Sequence, residues 1–186
     1  MKTLAIIPCT NQKADEPMKA RDLWVGSHFQ FVLAHAELFY DKVLIMSYKY
    51  GLISPDDVIE PYDYDVRNAS AVEKLKWWWA LREDIIEVCA AEDKPDLVAL
   101  YTGGFERDRI MREFVRNGVR QVIVPFEGRG IGQRMSLVYD CVPPFDREKA
   151  EAGGYALPED FGEKGSGGKY APPATEIDET TVEWEE

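Results

Sequence analysis

The 186 residues carry 34 acidic against 22 basic side chains, a formal charge of −12, with 45% hydrophobic content. That length supports one domain with its own core rather than two ordinary ones, and no apolar run reaches the length of a membrane span. Residues 145–186 hold 12 acids and 4 bases, which leaves 22 acids and 18 bases, a balance of −4, in the first 144. The body therefore lacks the strongly basic character of a nonspecific nucleic-acid binder, although a local basic patch is compatible with it.

Cys9, Cys89 and Cys141 are scattered and have no metal-ligand spacing. With no signal-peptide pattern before Leu4, they point to a reducing cytoplasm, no disulfide framework, no metal and no cofactor. His28 and His35 lie seven apart, nearly two helical turns, and read as helix-surface residues rather than a metal pair.

In chain order, Thr3 to Pro8 reads as a first, central strand, and Cys9 to Lys19 as a loop in which Thr10-Asn11 amides and Lys13 can meet an anion. Leu23, Phe31, Val32, Leu38 and Phe39 predict a helix over about 20–40, with Gly26-Ser27 able to delay its start. Val43 to Met46 is a short aliphatic run of the kind buried in a parallel sheet. The stretch Ser47 to Asp63 follows it: Gly51 breaks the chain, Pro55 and Pro61 stiffen it, and Lys49, Glu60 and Asp63 place charge among tyrosines. In open α/β sheets ligands sit beyond the carboxyl ends of strands, which makes this stretch a site candidate.

Ala69 to Ala91 predicts a long helix capped by Asn68 or Ser70. Successive helix residues are about 100° apart, so Trp77, Trp78 and Trp79 cannot all face one core. A packing or dimer contact is expected of at least one. Leu97 to Tyr101 is a third strand, Thr102-Gly103-Gly104 a turn, and about 105–116 a charged helix stopped at Asn117-Gly118. Val122 to Pro125 is a fourth strand, Glu127 to Gln133 is punctuated by glycine, and Arg134 to Tyr139 can start another helix. This alternation predicts an α/β protein with a mainly parallel sheet and helices on both faces, a Rossmann-like three-layer sandwich over 1–142. Residues 143–186, rich in Pro, Gly and acids, read as an extended or disordered acidic tail.

Segments after each strand should converge on one sheet edge. They bring Cys9, Thr10, Lys13, Ser47, Lys49, Tyr50, Tyr62, Thr102, Gly103, Gly104, Arg129 and Gln133 as ligand-binding candidates, with Glu60, Glu127 and Asp63 for acid–base work. Each has a plainer alternative. Glu60 and Asp63 can simply hold their loop, Lys49 can pair with Glu60, and Thr102-Gly103-Gly104 can be a turn that needs glycine. Cys9 can be a buried structural thiol, and half of Tyr48, Tyr50, Tyr62 and Tyr64 can belong to the core.

Ser47-x-Lys49-Tyr50-Gly51-Leu52 followed by Pro55-Asp56-Asp57-Val58-Ile59-Glu60-Pro61-Tyr62 resembles the signature of YaaA-type proteins. It is more similar still to a small prokaryotic and phage family of uncharacterised domains related to them. Pro8-Cys9-Thr10, Ala20 to Phe29, Thr102-Gly103-Gly104 and Glu127 to Gln133 extend the resemblance over about 3–140. The resemblance implies nucleic-acid-directed chemistry, and the cleft's residue types suit an enzyme acting at the N-glycosidic bond of a nucleobase-containing ligand, with DNA as a candidate substrate. Carboxylates would steady a cation-like transition state, tyrosines would stack on the base, and Arg129 with glycine amides would hold phosphate. The alternatives are a noncatalytic DNA-associated or stress-response module, and a phage partner-binding protein; a homo-oligomer is compatible with each.

Overall fold

The computed structural model describes residues 1–64, 68–102, 106–128 and 133. A five-stranded sheet has the order β4-β3-β1-β6-β7, with β1 at Thr3–Pro8, β3 at Lys42–Ser47, β4 at Gly51–Ile53, β6 at Leu97–Leu100 and β7 at Gln121–Ile123. A two-residue antiparallel ladder joins β2 (Met18–Lys19) to β5 (Val58–Ile59). The helices are α1 (Ala20–Leu23), α2 (Ser27–Phe39), α3 (Ala71–Ala90) and α4 (Arg107–Arg116).

Strands β3, β1, β6 and β7 are parallel, and β4 alone runs antiparallel, against the edge of β3. Period-two alternation sends Ala5, Ile7, Val43, Ile45 and Ala99 to one face, where they pack on α1 and α2. Leu4, Ile6, Leu44, Met46, Val98 and Val122 go to the other face, against α3 and α4. The mainly parallel α/β sandwich expected from the sequence is the fold. Burial on both faces explains why these strands are nearly continuous aliphatic runs. From β1 the order steps to β3 on one side and to β6 and β7 on the other, so the direction reverses between β1 and β6. Crevices for ligands open at such reversals.

The helix predicted over 20–40 is two helices. Trp24, fully buried, adopts extended backbone after α1, and Gln30 Nε2 donates to the carbonyls of Arg21 (2.8 Å) and Trp24 (2.9 Å), satisfying the groups the break frees. Burying an indole outweighed continuity, a choice the apolar spacing does not show.

Of the two proposed caps for α3, Ser70 is the one used. Its Oγ accepts from Glu73 N–H (3.3 Å) while the Glu73 carboxylate accepts from Ser70 N–H (2.9 Å), a reciprocal capping box. Trp77 is buried, Trp78 half-buried and Trp79 is 52% exposed, as the 100° step requires. The end of α4 is a Schellman turn. Val119 N–H reaches Phe114 O (3.1 Å), Gly118 N–H reaches Val115 O (2.9 Å), and Gly118 takes φ +80°.

The fourth strand, expected at 122–125, is Gln121–Ile123. Gly103, Gly104, Arg129, the expected helix over 134–139 and the tail over 143–186 lie outside the described residues. Among the described residues no helix is long and apolar enough to cross a membrane.

Candidate functional site

The stretch after β3 is built as a hairpin plus a docked loop, which the sequence did not suggest. Tyr48, Lys49 and Tyr50 turn the chain, Gly51 takes φ +72°, and β4 pairs back with Ile45↔Ile53, Met46↔Leu52 and Ser47↔Gly51 in register. Asp84 of α3 holds the turn from behind, its Oδ2 accepting from Leu52 N–H at 2.8 Å. Burial keeps the Asp84 carboxyl above the usual carboxylate range, and the Leu52 N–H opposes that rise. The loop then docks on the start of α1. Arg21 N–H donates to Pro55 O and Ala20 N–H to Asp57 O, while Asp56 pairs with Lys19 and Arg21. Pro55 to Asp57, part of the motif, thus serve to fix the loop.

Ser47 ends β3 fully buried. Its Oγ accepts from the N–H groups of Lys49 (3.2 Å) and Tyr50 (3.1 Å) and lies 2.8 Å from the Tyr62 hydroxyl. With both lone pairs engaged, the Ser47 hydrogen is directed to Tyr62, and the Tyr62 hydrogen to Cys9 Sγ at 3.7 Å. Cys9 stays in place because its N–H donates to Met46 O at 3.0 Å.

The result is a chain of three polar groups across the ends of β1 and β3. Burial raises the pKa of both Tyr62 and the Cys9 thiol, and the neighbouring thiol pushes Tyr62 further. Cys9 is thus a protonated acceptor for tyrosine in the ground state rather than a ready thiolate nucleophile.

Two ammonium groups stand over the tyrosines. Lys13 Nζ is 4.4 Å from the Tyr62 ring centre, and Lys49 Nζ is 4.8 Å from that of Tyr50 and 5.7 Å from that of Tyr62. The two rings meet edge to face at 5.6 Å, and Tyr50 Oη donates to Glu60 O at 3.2 Å. The expected pairing of Lys49 with Glu60 does not form; aromatic faces offer the ammonium an alternative. Thr10 lies in the adjoining loop. Its Oγ1 is shielded from solvent without a hydrogen-bond partner, and it would be 3.5 Å from a Cβ placed on Gly26 at the start of α2.

The structure thus gathers Cys9, Lys13, Ser47, Lys49, Tyr50 and Tyr62 in one cluster. The three proposed acids are held differently: Glu60 and Asp63 are exposed, and Glu127 is exposed and takes Arg107 at 3.1 Å. Thr102, 4% exposed, follows β6, and Gln133 is exposed. An enclosed carboxylate beside the hairpin is Glu106, 4% exposed at the start of α4, where Tyr48 Oη donates to its Oε1 at 3.4 Å. Sequence reasoning missed it, and its only signal is an acid just before a helix. On the α3 side of the same hairpin, Tyr48, Tyr64 and Trp77 wall an open groove of about 330 Å³, with Lys49, Lys76 and Glu73 also lining it. Among the described residues no cluster of metal-ligating side chains forms.

Fold and site together define an α/β protein with tyrosines and lysines at the carboxyl ends of its parallel strands. The chain belongs to a family of unknown function, DUF6884, whose model matches residues 4–140. It is similar to an uncharacterised Bacillus subtilis (strain 168) protein, YfjM, at 35% identity over 72 residues, covering 36% of this chain and 47% of the relative. The chain thus spans about half the length of that relative. No solved structure matches.

Proposed function

We propose that the tyrosine–lysine cluster binds a nucleobase-containing anion and that the protein acts at the N-glycosidic bond of that ligand. The observation that carries the reading is Lys13 and Lys49 placed over Tyr50 and Tyr62 at the strand ends. Rings supply a stacking surface and ammonium groups a phosphate partner, at the carboxyl ends of β1 and β3 on the side of the sheet where α/β proteins take ligands. The shielded Thr10 hydroxyl beside the start of α2 adds a donor for a phosphate oxygen. Glu106, enclosed, joins Glu60 and Glu127 as an acid–base candidate, since an acid shielded from water can be tuned for proton transfer. The YaaA resemblance supports a nucleic-acid context, and Cys9 and Cys89, both free thiols, suit a reducing cytoplasm.

Calorimetry with nucleotides, nucleosides and short oligonucleotides, coupled to detection of released base, tests this. Binding that weakens with salt is expected, with Tyr50→Ala weaker at every salt concentration and Glu106→Gln, Glu60→Gln or Glu127→Gln folded but without turnover. No binding at millimolar ligand removes the reading. Binding without base release favours the second reading, a noncatalytic nucleic-acid-associated or stress-response module, which the exposure of Glu60 and Asp63 supports.

A further inference from the structure

Helices α3 and α4 present a face whose chemistry the strand-end site does not use. Arg109, Arg112 and Arg116 are spaced by three and four residues, so they stand on one side of α4 along a rise of about 10 Å. All three are exposed. That side is turned toward α3. The Arg109 guanidinium lies 5.8 Å from the Trp78 ring centre, and buried Glu113 takes Arg82 Nε at 3.0 Å and Arg116 at 3.9 Å.

Arg82 in turn lies 5.4 Å from the ring centre of Trp79, which is 52% exposed. Arg82, Arg109, Arg112 and Arg116 outnumber the carboxylates beside them, buried Glu113 and the exposed Asp108 and Glu83 one turn away from Arg112 and Trp79, which leaves a modest local excess of positive charge on an otherwise acidic chain. Arg112 has no ion pair among the described residues. Glu113 and the ring contact tie Arg82 down, so the indole is held ready before anything binds.

We propose that this face docks a single nucleic-acid strand, with Arg109, Arg112 and Arg116 on successive phosphates and Trp79 stacked on a base. Arginine forks fit phosphate and carboxylate alike, so the cations by themselves would also take an acidic peptide. The half-open indole beside the row favours a base, whose flat face covers it, over short acidic side chains, which leave it in water. This choice of partner rests on the nucleobase reading of the strand-end site; the surface itself is separate from that site.

The test is fluorescence anisotropy of the full chain with labelled oligothymidylates of about 4–16 nucleotides, the range of single-strand site sizes, alongside calorimetry with mononucleotides. Affinity should rise with length and fall with salt. Replacing Arg109, Arg112 and Arg116 together by Ala should cut the log–log salt slope by about 2. Arg82 stays to neutralise Glu113, so the variant should keep its melt, and Arg112→Glu alone repeats the test without removing any ion pair among the described residues. Trp79→Ala should weaken oligonucleotide binding about 5- to 150-fold, with mononucleotide affinity unchanged in every variant.

The proposal is overturned if the folded chain binds no oligonucleotide, or if these variants bind as the parent does. It is also overturned if a peptide with the sequence of residues 176–186 occupies the face and oligonucleotides do not displace it. Oligonucleotide binding that depends on the face without any mononucleotide binding supports the surface and sinks the strand-end reading.

Discussion

Gly51→Ala tests how the motif-bearing turn is held. At φ +72° an alanine costs about 1–2 kcal/mol for the left-handed conformation. Its Cβ would also fall on Asp84 Oδ2, the oxygen that accepts the Leu52 N–H. Moving the carboxylate aside breaks a hydrogen bond to a charged acceptor, about 1.5–3 kcal/mol. The expected loss is therefore about 2.5–5 kcal/mol, a large share of a typical domain's stability. Urea unfolding of Gly51→Ala, Asp84→Ala and the double variant closes a cycle. Asp84→Ala should be costly in the parent and nearly free in the Gly51→Ala background, because the bond is already lost there, giving a coupling of about 1.5–3 kcal/mol. A Gly51→Ala loss under about 1 kcal/mol, or strict additivity of the two changes, refutes the clamp.

His35, expected on the helix surface, is instead buried with Nδ1 2.7 Å from the Tyr101 hydroxyl, and burial lowers its pKa from 6.5 to about 4. The unfolded chain takes that proton near pH 6.5 and the folded chain only near 4, so stability is whole above 6.5 and declines by about 3 kcal/mol as pH falls through that window. Raised Asp84 acts in the opposite sense near the acid end, and His35→Phe should flatten the slope seen in urea melts. Ser70→Ala removes the capping box and should cost about 1 kcal/mol in the same assay, with Ser70→Asp restoring most of it. Deleting residues 143–186 should leave a cooperative melt, since their composition offers little apolar area against the entropy of ordering; loss of cooperativity would place them in the core.

The sequence by itself determined the fold class. Strands such as Leu4–Ile7 and Val43–Met46 must bury both faces, and helices between them make the sheet parallel. It also marked the start of α3 to within two residues and the stop of α4, because Ser70 with Glu73 and Asn117 with Gly118 act within a few residues of themselves, whereas the break between α1 and α2 was not legible in it. It marked the right stretch for the site, since a strand's end is where the sheet opens.

Only tertiary structure decided what that stretch does. Gly51–Ile53 is too short to announce itself as a strand, and its pairing comes from β3 and from Asp84, 32 residues on. Lys13 and Lys49 reach the same ring from segments 36 residues apart, and Cys9 meets Tyr62 across 53. Glu106 became an enclosed acid near the hairpin because α4 packs its first turn against the sheet, while Glu60, prominent in the motif, stays in solvent. Burial and long-range contact arise from packing many elements at once, and no local pattern encodes them.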